Sequence, residues 1–266
     1  MATRKLSIVI PLKDEQANIN SLYTRIRDAL RGHVDWEGIF VDDGSSDGTF
    51  TTLSDLARTD PRIKVVRLRR NFGQAAAMQA GIDASTGDVI ATMDGDLQND
   101  PNDLPMLLAK LEEGYDAVLG ERANRHDSLF IRKVPSRIAN WLIRKVTGIP
   151  FRDFGCTMRV LRREVATSLK IYGEMHRFIP VLAMQTGAIL TQVPVQHHPR
   201  TAGRSKYNLS RSGRVFLDLI TAKFLSSYLT RPMHFLGGLG LFVILLGFSV
   251  SFIPRPKVAL SISLLN

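Results

Sequence analysis

Short apolar runs alternate with helical segments along the first half of the chain. Apolar residues at helical spacing, such as Ile19, Leu22 and Ile26, separate runs that are short, β-branched and end in polar residues or proline. Five runs are predicted strands: LSIVIPL at 6–12, the run through Ile39, Phe40 and Val41, IKVVRL at 63–68, DVIATMD and YDAVLGER. Strands that alternate with helices predict a mostly parallel, doubly wound α/β sheet flanked by helices.

Acidic residues follow the predicted strands at their carboxyl ends. Asp14, the pair Asp42 and Asp43, and the pair Asp94 and Asp96 each come just after an apolar run. In a parallel sheet these strand ends share one edge, and the ligands of doubly wound sheets bind there. The sequence therefore predicts a group of carboxylates at one edge of one sheet.

The segment MDGDLQNDP at 93–101 places Asp94 and Asp96 one residue apart. Two carboxylates this close repel each other, and hard oxygen ligands suit Mg²⁺ or Mn²⁺. A lone pair of aspartates around a glycine is more often a capped turn. The metal interpretation gains from the acids at neighbouring strand ends, from Gln98, and from the absence of a P-loop, a dinucleotide fingerprint and a zinc-protease motif in the sequence.

Composition excludes several classes of protein. Of the 266 residues, 44% are hydrophobic and 23% are charged, so the chain can bury a core and is not a disordered chain. A single cysteine, Cys156, excludes an internal disulfide and argues against a multi-thiolate metal site. The formal net charge of +10 leaves nucleic acid, an anionic membrane surface and phosphate-bearing ligands open as partners.

Two segments indicate contact with a membrane. FIRKVPSRIANWLIRKVTG at 130–148 predicts a basic amphipathic helix, which suits anionic lipid. Residues 235–253 carry no charge and, as a helix rising about 1.5 Å per residue, roughly span a bilayer core of about 30 Å. We expect membrane-interface helices over 208–232 and a transmembrane helix over 233–254, with a buried soluble helix as the alternative. The tail 255–266 is too short for a second span, so it is either natural or the remnant of a truncated one.

Six segments, in this order, make the chain similar to family-2 glycosyltransferases of the GT-A fold: VIPLKDE, VDDGSSDGT, GDVIATMDGDLQNDP, GER, RDFGCTMRVLRREV and RTAGRSKY. The likeness is greatest to polyprenyl-phosphate glycosyltransferases, which include dolichyl-phosphate mannose synthase and bacterial undecaprenyl-phosphate glucosyl- and aminoarabinosyltransferases. It covers residues 6 to about 230 and the apolar C-terminal segment. The resemblance implies a Rossmann-like GT-A domain over 1–207, on the cytoplasmic side of the inner (plasma) membrane.

The resemblance also implies roles for the matching residues. The divalent cation, Mg²⁺ or Mn²⁺, would be bound by Asp94, Asp96 and Gln98. The donor nucleotide would contact Pro11, Leu12, Asp14, Glu15, Asp42, Asp43, Gly44, Asp94 and Gly95. The acceptor phosphate would contact Arg122, Arg132, Ser136, Arg200 and Lys206. The catalytic set would be Asp94, Asp96, Arg122, Asp153 and Lys206.

The implied reaction transfers a sugar, with inversion, from a nucleotide sugar to polyprenyl phosphate in a lipid bilayer. A UDP-sugar is expected over a GDP-sugar, and UDP-glucose is the leading donor. Because the acceptor phosphate is already an anion, the site needs cations that bring two anions together more than it needs a strong base. Nucleic acid is not expected as a partner, and a homo-oligomer stays open.

Two other functions stay open from the sequence. A processive polysaccharide synthase of the same superfamily would carry a Q-x-x-R-W motif, and no such string occurs here. A non-enzymatic module that binds nucleic acid or anionic membranes would use the basic charge. It would leave the acids at the strand ends unexplained, because a binder of phosphate backbones gains nothing from them.

Overall fold

The computed structural model describes residues 5–122, 150–173, 175–199 and 232–251. Contacts divide the chain into two compact units, Met1–Ser226 and Ser227–Asn266. In the first unit the described strands are β1 (Leu6–Leu12), β2 (Trp36–Asp42), β3 (Ile63–Arg67), β4 (Val89–Thr92), β5 (Ala117–Arg122), β6 (Arg159–Arg162) and β7 (Leu190–Val195). The described helices are α1 (Ile19–Ala29), α2 (Thr49–Thr59), α3 (Gln74–Ala84), α4 (Leu104–Leu111), α5 (Arg163–Ser168) and α6 (Ile179–Gln185).

The strands form one sheet in the order β3-β2-β1-β4-β6-β5-β7. Strand β1 pairs in parallel with β2 and β4, β2 with β3, and β5 with β7. Strand β6 is antiparallel to both of its neighbours, β4 and β5. The predicted α/β fold with a mostly parallel sheet is confirmed. Strands β6 and β7 are additions that the sequence patterns did not predict.

Alternating residues of β1 belong to two apolar cores, one on each face of the sheet. Leu6, Ile8 and Ile10 pack in a cluster that includes residues of α1 and α4. Val9 packs in a second cluster with residues of α3, α5 and α6. Side chains of a strand point to opposite faces in turn, so a fully buried strand requires helices on both sides.

The carboxyl ends of the central strands meet at one edge, as predicted. Leu12, the last residue of β1, pairs with Asp42 of β2, and Asp42 pairs with Arg67 of β3. On the other side of β1, Val9 pairs with Thr92, so β4 ends next to β1. The acids that follow these strands therefore start from neighbouring positions.

The second unit contains helix α7 (Pro232–Ser251), at the position predicted for a membrane helix. Within the described ranges, however, none of the helices meets both the length and the apolarity that crossing a membrane requires. The predicted span over 233–254 is therefore not confirmed. The predictions for 130–148, 208–231 and 252–266 lie outside the described residues.

A buried carboxylate stabilises the opposite edge of the sheet, which is formed by the amino ends of the parallel strands. Glu37 of β2 is 2% exposed, and it accepts hydrogen bonds from Ser7 Oγ and the Thr86 backbone N–H, both at 2.7 Å. The Lys5 and Lys64 ammonium groups lie 2.8 and 2.9 Å from its Oε2. Burial by itself would raise the pKa of Glu37, but the hydrogen bonds from Lys5, Ser7 and Lys64 hold that pKa well below its usual range.

Replacing Glu37 with Gln should lower the free energy of unfolding by about 2–4 kcal/mol at neutral pH, because it breaks a buried, hydrogen-bonded charge network. A carboxylate whose folded pKa is depressed stabilises the fold above its unfolded pKa, near 4.5, and this stabilisation is lost as the pH falls toward the folded pKa. The difference in the free energy of unfolding between the wild type and the Glu37→Gln variant should therefore shrink as the pH falls below about 4.5. Urea unfolding followed by tryptophan fluorescence at several pH values measures it.

The matched control for this variant is Glu113→Gln. Glu113 forms an exposed ion pair with Lys110, so its loss should change the free energy of unfolding by at most about 0.5 kcal/mol. A Glu37→Gln effect that stays constant across the acidic range would contradict the assignment of a depressed pKa.

Candidate active site

The two aspartates after β4 share a crowded loop. Asp94 Oδ1 accepts a hydrogen bond from Gln74 Nε2 at 2.7 Å, and its Oδ2 accepts one from Thr157 Oγ1 at 2.8 Å. Asp96 is buried. Burial raises the pKa of Asp94, and the neighbouring charge of Asp96 raises it further, against the lowering effect of Thr157. An added cation would stabilise the ionised form of this pair.

Steric constraints fix the shape of this loop. A Cβ on Gly95 would collide with the side chain of Leu12, so a larger residue there would require Leu12 to move. Leu97 adopts φ +62°, a left-handed conformation that side-chain-bearing residues rarely take. The loop is thus packed against the end of β1, next to the acids that follow it.

Gln98 lies where this loop meets the chain after β7. Its Nε2 donates to the His198 carbonyl at 3.4 Å, and the His198 N–H donates to the Gln98 carbonyl at 2.8 Å. His198 Nε2 lies 2.8 Å from Asp100 Oδ2. A further bond joins the Gln196 N–H to Asp103 Oδ2 at 2.7 Å. Hydrogen bonds between residues 98–103 and residues 196–198 therefore hold the loop that carries the predicted metal ligands against the chain after β7.

Asp42, at the end of β2, carries a buried oxygen that accepts no hydrogen bond from the described residues. Its Oδ1 accepts from the Ser45 N–H at 2.9 Å, whereas Oδ2 has no hydrogen-bond partner among the described residues. The Arg67 Nε lies 3.7 Å from it. A buried acceptor without a donor is costly, so a ligand N–H or hydroxyl would stabilise this position. Pro11 and Leu12, at the end of β1, lie on the neighbouring strand.

Asp43 uses both of its oxygens to hold a loop. It accepts hydrogen bonds from the Phe72 N–H at 2.7 Å and the Gly73 N–H at 2.9 Å. Gly44 has φ +63°, and a Cβ there would lie 2.5 Å from the backbone of Arg70. These contacts keep the segment before α3 against the end of β2. A direct contact between Asp43 and a nucleotide stays a prediction.

Asp14 and Glu15 follow β1 and face the turn before α2. Asp14 adopts φ +53°, and its Oδ1 accepts from the Ser46 N–H at 2.7 Å, which lowers the pKa of this carboxyl. The Glu15 N–H donates to Thr49 Oγ1 at 3.0 Å. Together with Asp47, the two acids line an open cavity of about 500 Å³.

Arg122 and Asp153, predicted separately, form a bidentate ion pair. Arg122 Nε lies 2.6 Å from Asp153 Oδ2, and its Nη2 lies 2.8 Å from Oδ1. The Gly155 N–H also donates to Oδ1, at 3.0 Å. The charge of Arg122 lowers the pKa of Asp94. Bidentate pairing fixes the orientation of the guanidinium group.

Arg159 of β6 is a buried cation that the sequence analysis missed. It is 2% exposed and donates to the carbonyls of His176 at 2.8 Å and Phe154 at 3.3 Å. Burial lowers its pKa, whereas the charges of Asp153 and Asp94 act in the opposite direction. The available signal was an arginine inside the apolar run CTMRVL. Buried arginines are rare without a partner, so this position points to neighbouring acids.

The loop that carries Asp94 and Asp96 suits a cation whose coordination shell is completed by water and substrate oxygens. Within the described ranges there is no group of three His, Cys, Asp or Glu side chains that could form a complete metal cage. Mg²⁺ usually needs only one or two protein carboxylates, since water and phosphate oxygens complete its shell. Asp94 and Asp96 supply such a pair, and since burial and the charge of Asp96 raise the pKa of Asp94, a bound cation would favour its ionised form.

Part of the predicted site lies outside the described residues. Arg132, Ser136, Arg200 and Lys206 belong to this part. Their assignment to the acceptor phosphate, and that of Lys206 to catalysis, stay predictions.

Comparison with known proteins identifies the family. Residues 7–169 match the family model described as Glycosyl transferase family 2. The chain belongs to this family. It is 45% identical over 242 residues to dodecaprenyl-phosphate galacturonate synthase of Rhizobium johnstonii. This match covers 89% of this chain and 72% of that protein. It is 41% identical over 251 residues to undecaprenyl-phosphate 4-deoxy-4-formamido-L-arabinose transferase of Yersinia pestis, which covers 93% of this chain and 75% of that protein.

Solved structures share the fold of this glycosyltransferase. Glucosyl-3-phosphoglycerate synthase of Mycobacterium tuberculosis, in complex with Mn²⁺ and UDP-glucose, aligns with a TM-score of 0.64 at 22% identity over 84% of this chain and 79% of that chain. The same enzyme in complex with Mg²⁺ and UDP aligns with a TM-score of 0.63 at 21% identity, with the same coverage. The GT-A-like fold implied by the sequence resemblance is thus confirmed.

The single cysteine of the glycosyltransferase gives a direct test of packing beneath the site. Cys156 is 2% exposed, and burial raises the pKa of its thiol to about 11. Because the thiolate is the reactive form, the native protein should resist a thiol reagent at mildly alkaline pH, and the same protein in concentrated urea should react at once. Labelling followed by absorbance measures both rates. Rapid stoichiometric labelling of the native protein would contradict the described packing.

Proposed function

We propose that this family-2 glycosyltransferase transfers a sugar from a nucleotide sugar to polyprenyl phosphate. The observation that carries the proposal is the pair Asp94 and Asp96, which lie in one loop at the carboxyl edge of the sheet, where burial and the charge of Asp96 raise the pKa of Asp94. The names of the relatives at 45% and 41% identity support the acceptor, since both contain a polyprenyl phosphate. A module that only binds anionic surfaces gains nothing from these carboxylates.

The acids at the strand ends would bind the donor nucleotide sugar and its cation. Asp94 and Asp96, with Gln98 beside them, would hold Mg²⁺ or Mn²⁺, and the bound cation would neutralise charge on the donor diphosphate. Asp42 Oδ2, which has no hydrogen-bond partner among the described residues, would accept a hydrogen bond from the base or ribose. The M. tuberculosis enzyme was solved in complex with Mn²⁺ and UDP-glucose and with Mg²⁺ and UDP, which supports a UDP-linked donor. The remaining proposed donor contacts are Pro11, Leu12, Asp14, Glu15, Asp43, Gly44 and Gly95.

The acceptor side depends on fixed positive charge. An acceptor phosphate oxygen would attack the anomeric carbon, form the phosphate–sugar bond, and displace the nucleoside diphosphate with inversion. Asp153 holds the guanidinium of Arg122 in one orientation, and Arg159 adds a buried positive charge nearby. Both would favour the approach of two anions. Asp153 accepts hydrogen bonds from Arg122, so it acts here as an orienting group.

The sugar is proposed from the relatives. UDP-glucose was the leading donor from the sequence, but the relative at 45% identity is named for galacturonate and the one at 41% for 4-deoxy-4-formamido-L-arabinose. We therefore place UDP-galacturonate first, UDP-4-deoxy-4-formamido-L-arabinose second and UDP-glucose third.

A polyprenyl phosphate is a lipid, so the enzyme would act at a bilayer. We propose the cytoplasmic face of the inner (plasma) membrane, where the net charge of +10 would favour anionic headgroups. The predicted interface helices over 208–232 and the helix over 233–254 are the proposed contacts.

A transfer assay tests the function. The purified protein is incubated with each labelled UDP-sugar, polyprenyl phosphate and Mg²⁺ or Mn²⁺, with and without EDTA. We expect metal-dependent transfer of one sugar to a product that extracts into organic solvent. A long polymer would indicate a processive synthase instead. Absence of transfer from every donor, with salt-sensitive binding to liposomes, would indicate a binding module and contradict the proposal.

Replacing Asp96 with Asn should reduce transfer by about 100-fold or more, because it removes one carboxylate from the cation site. The fold should persist, since Asn is isosteric and removes a charge from a crowded loop. Circular dichroism and the transfer assay measure the two effects. Asp55→Asn, which breaks only an exposed ion pair with Arg58, is the control and should keep wild-type activity. A fully active Asp96→Asn variant would refute the metal assignment.

A further inference from the structure

The carboxylate of Asp94 is held from two sides by neutral donors. Gln74 Nε2 reaches Oδ1 at 2.7 Å, and Thr157 Oγ1 reaches Oδ2 at 2.8 Å. One donor on each oxygen fixes the rotation of the carboxylate plane. Each oxygen of an ionised carboxylate can accept about two hydrogen bonds or metal bonds, so both oxygens keep capacity for a further ligand.

The direction of the Thr157 hydrogen bond is set by a second contact. The amide Nδ2 of Asn99 donates to Thr157 Oγ1 at 3.0 Å, so the single hydroxyl proton of Thr157 is left to point at Asp94. The Thr157 carbonyl in turn accepts from Thr92 Oγ1 at 2.6 Å. Thr157 is thereby tied to the last residue of β4, just before the acidic loop.

Gln74 is held in place from the nucleotide side of the site. It is the first residue of α3, and the two residues before it donate their backbone N–H groups to Asp43 at 2.7 and 2.9 Å. The backbone of Arg70 and Asn71 also packs closely against Gly44. The predicted nucleotide-binding acid Asp43 therefore fixes the helix start that carries Gln74, and Gln74 fixes Asp94.

We propose that Gln74 and Thr157 are positioning residues that orient Asp94 for binding of the divalent cation. The proposal rests on the proposed function, which assigns the cation to Asp94 and Asp96. Neither side chain carries charge, so each acts through the orientation of the carboxylate. Loss of a hydrogen-bond partner behind a metal ligand typically lowers metal affinity by about 10- to 100-fold. Gln74 and Thr157 approach from opposite sides, so each removal frees one carboxylate oxygen.

The test is Mn²⁺ binding in the presence of UDP, measured by electron paramagnetic resonance without any sugar transfer. We expect Gln74→Ala and Thr157→Val each to weaken Mn²⁺ binding by about 10- to 100-fold. Thr157→Ser keeps the hydroxyl and should restore binding close to the wild-type value. Gln79→Ala is the matched control, because Gln79 lies on the same helix and accepts a hydrogen bond from the Ile171 N–H away from the site. It should leave Mn²⁺ affinity unchanged.

The outcomes separate this inference from the proposed function. Near-ultraviolet circular dichroism first shows that the Gln74→Ala and Thr157→Val variants are folded. If these folded variants bind Mn²⁺ as well as the wild type does, the positioning role is wrong and the metal assignment survives. Weakening by Gln79→Ala to the same degree would also overturn it, because the effect would then be general to α3. If the wild type itself binds no Mn²⁺ with UDP present, both proposals are wrong. Should Thr157→Val fail to fold, Thr157→Ser and Gln74→Ala still decide the question.

Discussion

Repulsion between carboxylates at one edge of the sheet is the constraint on which the site depends. Parallel pairing of β1, β2 and β4 brings the acids after each strand together. Among them, Asp14 is stabilised by Ser46 and Asp43 by two backbone N–H groups, and the nearby Asp153 is stabilised by Arg122. Burial raises the pKa of Asp94, and one buried oxygen of Asp42 has no hydrogen-bond partner among the described residues. These are the positions where added ligands gain most.

The site forms where the two halves of the sheet meet. The parallel half supplies the acids, and the part around the antiparallel strand β6 supplies the buried Arg159 and the hydroxyl of Thr157. Asp94 is in contact with both halves, through Gln74 on one side and Thr157 on the other. A transferase that binds two anionic substrates needs both kinds of charge, and the change of strand direction places them side by side.

The parallel half could be predicted because its strands are apolar runs that alternate with helical segments, and β1, β2 and β4 lead into acids. Strand β7 was missed because LTQVPV contains Pro194, and proline is tolerated there since β7 lies at an edge of the sheet. Strand β6 is four residues long and begins and ends with arginine. Arg162 is accommodated because it donates to the carbonyls of Leu111, at the end of α4, and of Tyr115. Gln74 and Thr157 are neutral and distant in sequence from Asp94, so only the fold reveals their contacts.

The central claim is that a divalent cation occupies the acidic edge when the donor nucleotide is bound. Crystals grown with Mn²⁺ and UDP, with diffraction recorded at the manganese absorption edge, test this claim most directly. The account predicts an anomalous peak in coordination distance of the carboxylates of Asp94 and Asp96, next to the diphosphate. A bound UDP with no such peak, or with the manganese held by other residues, would contradict it.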